Sequence, residues 1–230
     1  MKIFGQPSNY SEILQRIWYT SLATGILCTA VLAKASPDIQ ALIDSISTKA
    51  DIGPIKNIKV LYILIPVLIS VLSRMLKLHD KISDVFRIRY LFDTRFLLFP
   101  LAILSGINLT SDLRKKIGHN RINSMYSVFY PYANFENPVI DKQLVRTSAD
   151  NWGWFWALVE SFALIVVTTV ALIFIDKKDY LLLCFFALLV ELLLIVMFGG
   201  FCVRGARRQV AAILADKNRK KEIGKYFRSL

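Results

Sequence analysis

Two carboxylates stand where a carboxylate is hardest to keep. Glu191 is the only charge in the apolar run 180–203, twelve residues into it, and Glu160 is the only charge in the run 153–175. An ionisable group at the centre of a bilayer costs about 2.5 kcal/mol or more, so it reads as functional unless a neighbour satisfies it. Neither run holds a Lys, Arg or His that could neutralise the charge. The chemistry open to the pair is proton or cation handling along a water-filled path. The structural alternative is a protonated carboxyl bonding to another helix through Ser70, Ser73, Thr168 or Tyr62. Both readings stand for Glu160, and the functional one is preferred for Glu191.

Other chemistry is poorly provided for. His79-Asp80 has the look of paired metal ligands, but His119 is the only other histidine. Glycine-rich phosphate loops, metal-binding helices and nucleophile elbows are absent. Cys28, Cys184 and Cys202 all lie inside apolar blocks, an odd number at no metal-ligand spacing, which argues against disulfides and zinc. No catalytic residue, metal site or cofactor is expected, and the chain does not read as an enzyme.

The elements that must position the carboxylates are membrane spans. A spanning helix needs about 20 mainly apolar residues to cross about 30 Å of hydrocarbon. Residues 153–175 and 180–203 satisfy this outright, joined through Asp176, Lys177, Lys178 and Asp179 in a turn short enough only for a helical hairpin. Residues 58–76 make another span, bent at Pro66. A first span at about 17–34 ends near Ala33-Lys34-Ala35, which resembles a signal cleavage site. The long polar lead-in carrying Glu12 favours a retained helix. The block 96–107 is apolar but short, with Pro100 and Gly106 inside it, and suits a buried or interfacial segment better than a crossing.

Charge sets the expected orientation. The chain carries 29 Lys and Arg against 17 Asp and Glu, for +12. Most of the cations fall in 77–152 and after residue 203. Retention of positive charge in the cytoplasm then places both termini and the large middle loop on that side. The expected fold is an all-α integral membrane protein with four transmembrane helices and a small, partly irregular cytoplasmic domain. Its parts are residues 1–76 with the first two spans, a cytoplasmic domain at 77–152, a transmembrane hairpin at 153–203, and a basic cytoplasmic tail helix at 204–230.

Within the cytoplasmic part, Leu78, Ile82, Val85 and Phe86 recur at helical spacing, in a helix continuing from the second span. Asp84 and Arg87, three apart, form a surface ion pair on that reading. Met125 to Pro138 is dense in Tyr, Phe, Asn and Pro, which favours extended structure and a small core of its own. A stacking platform for nucleotides is the other reading. Candidate anion-binding residues are Arg87, Arg89, Arg114, Lys115, Lys116, Arg121, Arg207 and Arg208. Trp152, Trp154 and Trp156 form an interfacial belt fixing the depth of the third span. The tail, with Val210, Ile213, Leu214, Ile223 and Phe227 among basic residues, reads as a helix lying on anionic headgroups or lining an anion-binding vestibule.

In layout the chain resembles small four-helix membrane effectors of bacterial anti-phage defence, the channel subunit of the Hailong system and the membrane subunit of Kiwa. The likeness covers four spans, a basic cytoplasmic domain and Glu191 in the core; it is one of architecture, without a shared motif. It implies a homo-oligomer in the bacterial inner membrane that depolarises the membrane on sensing a nucleotide, an oligonucleotide or a partner protein. The leading expectation is therefore an oligomeric ligand-gated ion channel in contact with membrane lipid. The alternatives are a non-conducting anchor that recruits a cytoplasmic partner enzyme, and a small secondary transporter, for which the internal repeat is missing.

Overall fold

The computed structural model describes residue 7 and residues 10–46, 49–52, 55–59, 61–75 and 78–230. In chain order these form α1 (Tyr10–Ala35), α2 (Pro37–Ile46), strands β1 (Lys49–Ile52) and β2 (Ile55–Lys59), α3 (Leu61–Met75), α4 (Leu78–Val85) and α5 (Ile88–Phe92). A π-helical turn (Asp93–Leu98) leads into α6 (Phe99–Leu104). Then follow α7 (Ser111–His119), α8 (Arg121–Val128), α9 (Tyr130–Ala133), α10 (Lys142–Phe174), α11 (Lys178–Leu214) and α12 (Lys217–Arg228). Among the described residues the regular structure is helical but for the antiparallel pair β1–β2, which places Ala50 opposite Ile58 and Lys49 opposite Lys59.

The expected helical fold is what forms, and the short hairpin is a local departure that takes residues from the start of the expected second span. Ile58 and Lys59 belong to the strand, so the helix begins at Leu61. Its 15 residues extend about 22 Å at 1.5 Å per residue, less than the hydrocarbon thickness. The expected span end at Leu76 and the start of the cytoplasmic domain at Lys77 lie outside the described residues. Among the described residues, three helices are long and apolar enough to cross a membrane: Ser11–Ala35, Lys142–Phe174 and Lys178–Leu214.

The chain divides into two compact units. The first, here the apolar unit, comprises Leu14–His79 and Trp154–Met197. Its helices start and stop for local reasons. Ser36 accepts from the Ile39 N–H at 3.4 Å and Pro37 opens α2, where its missing N–H costs nothing. α10 closes through Asp176 in the left-handed region at φ 50. There the Lys177 N–H reaches back to the Leu172 carbonyl and the Asp176 N–H to Ile173, so two orphan carbonyls are satisfied. Aspartate tolerates that conformation better than most residues, and the expected tight turn between two long helices forms there. Inside the unit, Gly25 of α1 lies against Pro66 of α3; a Cβ at Gly25 would sit 3.2 Å from the proline Cβ. Ala35, Leu172 and Cys184 bury the other end of α1 against the turn.

The second unit comprises Met1–Ile13, Asp80–Gly153 and Phe198–Leu230. It holds 20 of the 29 Lys and Arg and 10 of the 17 Asp and Glu, so +10 of the +12 belongs to it; it is the basic unit. Its core is one cluster to which the π turn, α6, α7, α8, α11 and α12 contribute Leu98, Leu101, Ile117, Val128, Ile213 and Phe227, among others. Each such side chain contributes about 1.5–3 kcal/mol by leaving water. The short apolar block 96–107 thus proves to be core: Leu97, Leu98, Leu101 and Ala102 are buried. In the π turn the Phe99 N–H bonds the Thr94 carbonyl, five residues back. Pro100 sits at the start of α6, where a proline is accommodated.

Three further expectations are corrected in this unit. The aromatic stretch is helical, in α8 and α9, because Pro131 falls at the first turn of α9, where its fixed φ suits a helix. Phe129 and Ala133 enter the core. The tail is not one separate helix: α11 continues to Leu214, and α12 starts anew where the Asp216 carboxylate accepts from the Asn218 and Arg219 N–H groups, both at 2.9 Å. Its apolar face is already occupied, with Ile223 and Phe227 each 1% exposed, so it has no free face to lay on headgroups. Finally, the helical spacing does not carry through Phe86: α4 stops at Val85, Arg87 turns left-handed at φ 52, and Val85 and Phe86 are 76% and 68% exposed.

Candidate functional site

In the apolar unit, the two carboxylates are treated differently. Positions 16, 20, 21, 24 and 28 share one face of α1 at helical spacing, and all carry polar or polarisable side chains. Across from them, the Ser21 hydroxyl donates to Glu160 Oε2 at 2.7 Å, and the Thr24 and Ser161 hydroxyls meet at 3.0 Å. Arg16 is buried, with its guanidinium carbon 4.8 Å from the Trp154 ring centroid, a cation–π arrangement. Glu160 therefore sits in a polar seam between α1 and α10. Small hydroxylated residues at facing positions are what helix pairs use where no hydrophobic force drives them together.

Glu191 has no such neighbour. Its Oε2 is inaccessible and has no hydrogen-bond partner among the described residues. Two of the four residues expected to satisfy it are engaged elsewhere: Tyr62 donates to Gln40 Oε1 at 2.7 Å, and Thr168 donates to the Leu164 carbonyl in its own helix. The Ser73 side chain lies outside the described residues. Along the most apolar stretch of α11 only 6% is buried, and Leu182, Phe186, Leu189 and Leu193 are all exposed.

The tryptophans are used inside the protein. Trp156 is 2% exposed, Trp152 packs on Phe92 with centroids 4.7 Å apart, and Trp154 takes Arg16 on its face. A belt needs rings displayed outward, and burial removes Trp156 from that role.

In the basic unit the anion candidates are scattered, with one exception. Arg87 and Arg121 line a common cleft of about 540 Å³ together with Ser83, Asp84, Tyr90, Gly118 and His119. The expected Asp84–Arg87 pair is not formed, since the left-handed turn at Arg87 takes it off helical spacing. Instead Arg89 bonds Asp80 at 3.0 Å, and its backbone N–H bonds Ser83 Oγ at 3.2 Å. Arg121 pairs with Asp93, whose carboxylate is nearly buried. Burial pushes the Asp93 carboxyl up and the Arg121 guanidinium pulls it back, leaving it raised. Burial, with Asp93 nearby, likewise holds the Tyr130 phenol up. Arg114, Lys115 and Lys116 are exposed on α7, and Arg207 and Arg208 on α11; none lines the cleft. Tyr90, Gly118 and His119 were not singled out by the sequence as site residues. The signal that could have found them is Gly118-His119 one residue beyond the basic run Arg114-Lys115-Lys116, since a glycine there permits close approach. Among the described residues no cluster of His, Cys, Asp and Glu could hold a metal.

These features define a helical protein associated with a membrane through three long apolar helices, with a compact basic helical unit. The chain belongs to the YmfE protein family, whose model matches residues 9–228. A relative, the uncharacterized protein YmfE of Escherichia coli (strain K12), is 26% identical over 182 residues, covering 76% of this chain and 74% of the relative. No solved structure matches.

Proposed function

We propose that this protein is an oligomeric ion channel of a bacterial inner membrane, gated from its basic unit. The observation that carries the reading is Glu191: an unpartnered carboxylate oxygen on a helix whose apolar surface is otherwise almost wholly uncovered. A charge left this way at mid-helix calls for water, a cation or another copy of the same helix. Several copies around an axis supply all three, because a ring of carboxylates attracts cations. α3 joins the three long helices as a fourth crossing. The basic unit then lies in the cytoplasm, where positive charge is retained. Glu160, bonded by Ser21, belongs to the packing of the bundle. Opening such a path would collapse the membrane potential, the outcome that the likeness to anti-phage effectors implies.

The test is conductance of the full chain in liposomes. Glu191→Gln removes the charge and keeps the shape, and cation current is expected to fall at least tenfold. Unchanged current and selectivity would take Glu191 out of the pore. A silent wild-type protein that copurifies with a stoichiometric soluble partner would overturn the channel in favour of a membrane anchor.

A further inference from the structure

The cleft in the basic unit is built around one fixed cation, Arg121, with a second, Arg87, standing unpaired beside it among the described residues. Arg121 is clamped from behind by Asp93, its side chain only 18% exposed. One edge of the guanidinium is thereby spoken for, and its other donors are left for the cleft. His119 is fixed through Nδ1 to the Lys115 carbonyl at 2.9 Å, which leaves Nε2 as the ring's free nitrogen. Arg87 projects from a left-handed backbone position and forms no ion pair among the described residues. Gly118 lets the half-exposed Tyr90 side chain close over this part of the lining: a Cβ there would lie 2.5 Å from the Tyr90 hydroxyl oxygen, so any larger residue would push that ring aside. Ser83 has accepted the Arg89 N–H, so its own hydroxyl proton remains to be given. Asp84 is the one acid among the lining residues, and it suits a hydroxyl donor.

We infer that this cleft binds a phosphate ester that also carries free hydroxyls, the phosphate held by Arg87 and Arg121 and a hydroxyl by Asp84. Guanidinium forks match phosphate oxygens in pairs, and about 540 Å³ accommodates a ligand of nucleotide size. Two sources share this chemistry: a soluble nucleotide, and a phospholipid headgroup such as phosphatidylglycerol. Exposed Val85 and Phe86 stand beside Arg87 in the chain, apolar neighbours suited to acyl chains, whereas the Tyr90 ring in the lining suits a base. The site deepens the proposed gating but does not depend on it.

The experiment uses the full chain in detergent, titrated by calorimetry with AMP, and the same chain in nanodiscs, where bound phosphatidylglycerol is counted by native mass spectrometry. Binding is expected in one arm. Arg87→Ala, at an exposed residue outside the core, should weaken it at least tenfold, with His119→Ala giving a smaller loss. Arg207→Ala, outside the cleft, should leave it unchanged. AMP binding that also weakens as salt rises assigns the nucleotide, and retained phosphatidylglycerol lost in Arg87→Ala assigns the lipid. No binding in either arm, or equal loss from Arg87→Ala and Arg207→Ala, would overturn the site in favour of a diffuse basic surface. Binding by a protein that conducts nothing would keep the site and remove the channel; conductance without binding would do the reverse.

Discussion

α11 and α12 follow one another in the chain and obey opposite rules. α12 is rich in lysine and arginine, yet its few apolar residues, Ile223 and Phe227, are buried almost completely. α11 is apolar over most of its length, yet Leu182, Phe186 and Leu193 are exposed in the apolar unit. The basic unit folds as a water-soluble domain does, by hiding scarce apolar groups from water. The apolar unit hides scarce polar groups instead, pairing Ser21 with Glu160 and Thr24 with Ser161. Polar residues in one unit and apolar residues in the other are therefore the informative minority.

The contrast can be broken most forcefully at Phe227. Phe227→Ala should destabilise the basic unit by about 3–5 kcal/mol, read as lost protection of the 217–228 amides in hydrogen exchange. Leu193→Ala, equally apolar but exposed, should change stability by no more than about 0.5 kcal/mol in detergent. Equal losses from the two would mean that the units do not follow different rules. A smaller effect is expected in the seam. Ser21→Ala removes the hydroxyl that Glu160 accepts and should cost about 0.6 kcal/mol, the usual size of a hydrogen bond between membrane helices, measured by unfolding in mixed micelles. The mildest signal is in pH. Asp93, raised by burial above its ordinary value of 3.8, binds its proton more tightly in the folded unit, so its contribution to stability falls as pH rises above 3.8. Asp216 is lowered, chiefly by the Arg219 N–H, so its contribution is full above 3.8 and lost as pH falls through the depressed value. Denaturation midpoints across the acid range should lose their upper-limb slope in Asp93→Asn and their lower-limb slope in Asp216→Asn.

What could be read from the residues follows the same division. The long helices of the apolar unit announce themselves, since twenty-odd apolar residues have few other fates, and the charged turn at 176–179 marks where they fold back. The basic unit was harder, because its core is assembled from distant pieces. Leu98, Met125 and Phe227 lie in different parts of the sequence, and no periodicity within any one piece shows that they meet. The aromatic stretch misled because Pro131 reads as a breaker inside a helix and as a starter at its first turn. Of the cations, Arg87 and Arg121 fell within the expected set; Tyr90, Gly118 and His119 needed the fold to bring them together. Glu191 was legible as an anomaly, while the partner for Glu160 lay on a helix 139 positions away.

The π turn has a consequence for which changes this chain can absorb. From Asp93 onward the buried residues come in adjacent pairs, 93–94, 97–98 and 101–102, a repeat of four. An α-helix advances about 100° per residue, so a repeat of four would slide about 40° around its surface at each step. The wider turn absorbs that slippage and keeps all three pairs facing inward. Spelling is thus a loose constraint there and length a strict one. Exchanging one apolar residue for another should be tolerated, whereas losing a single codon between 93 and 98 would rotate everything downstream out of the core.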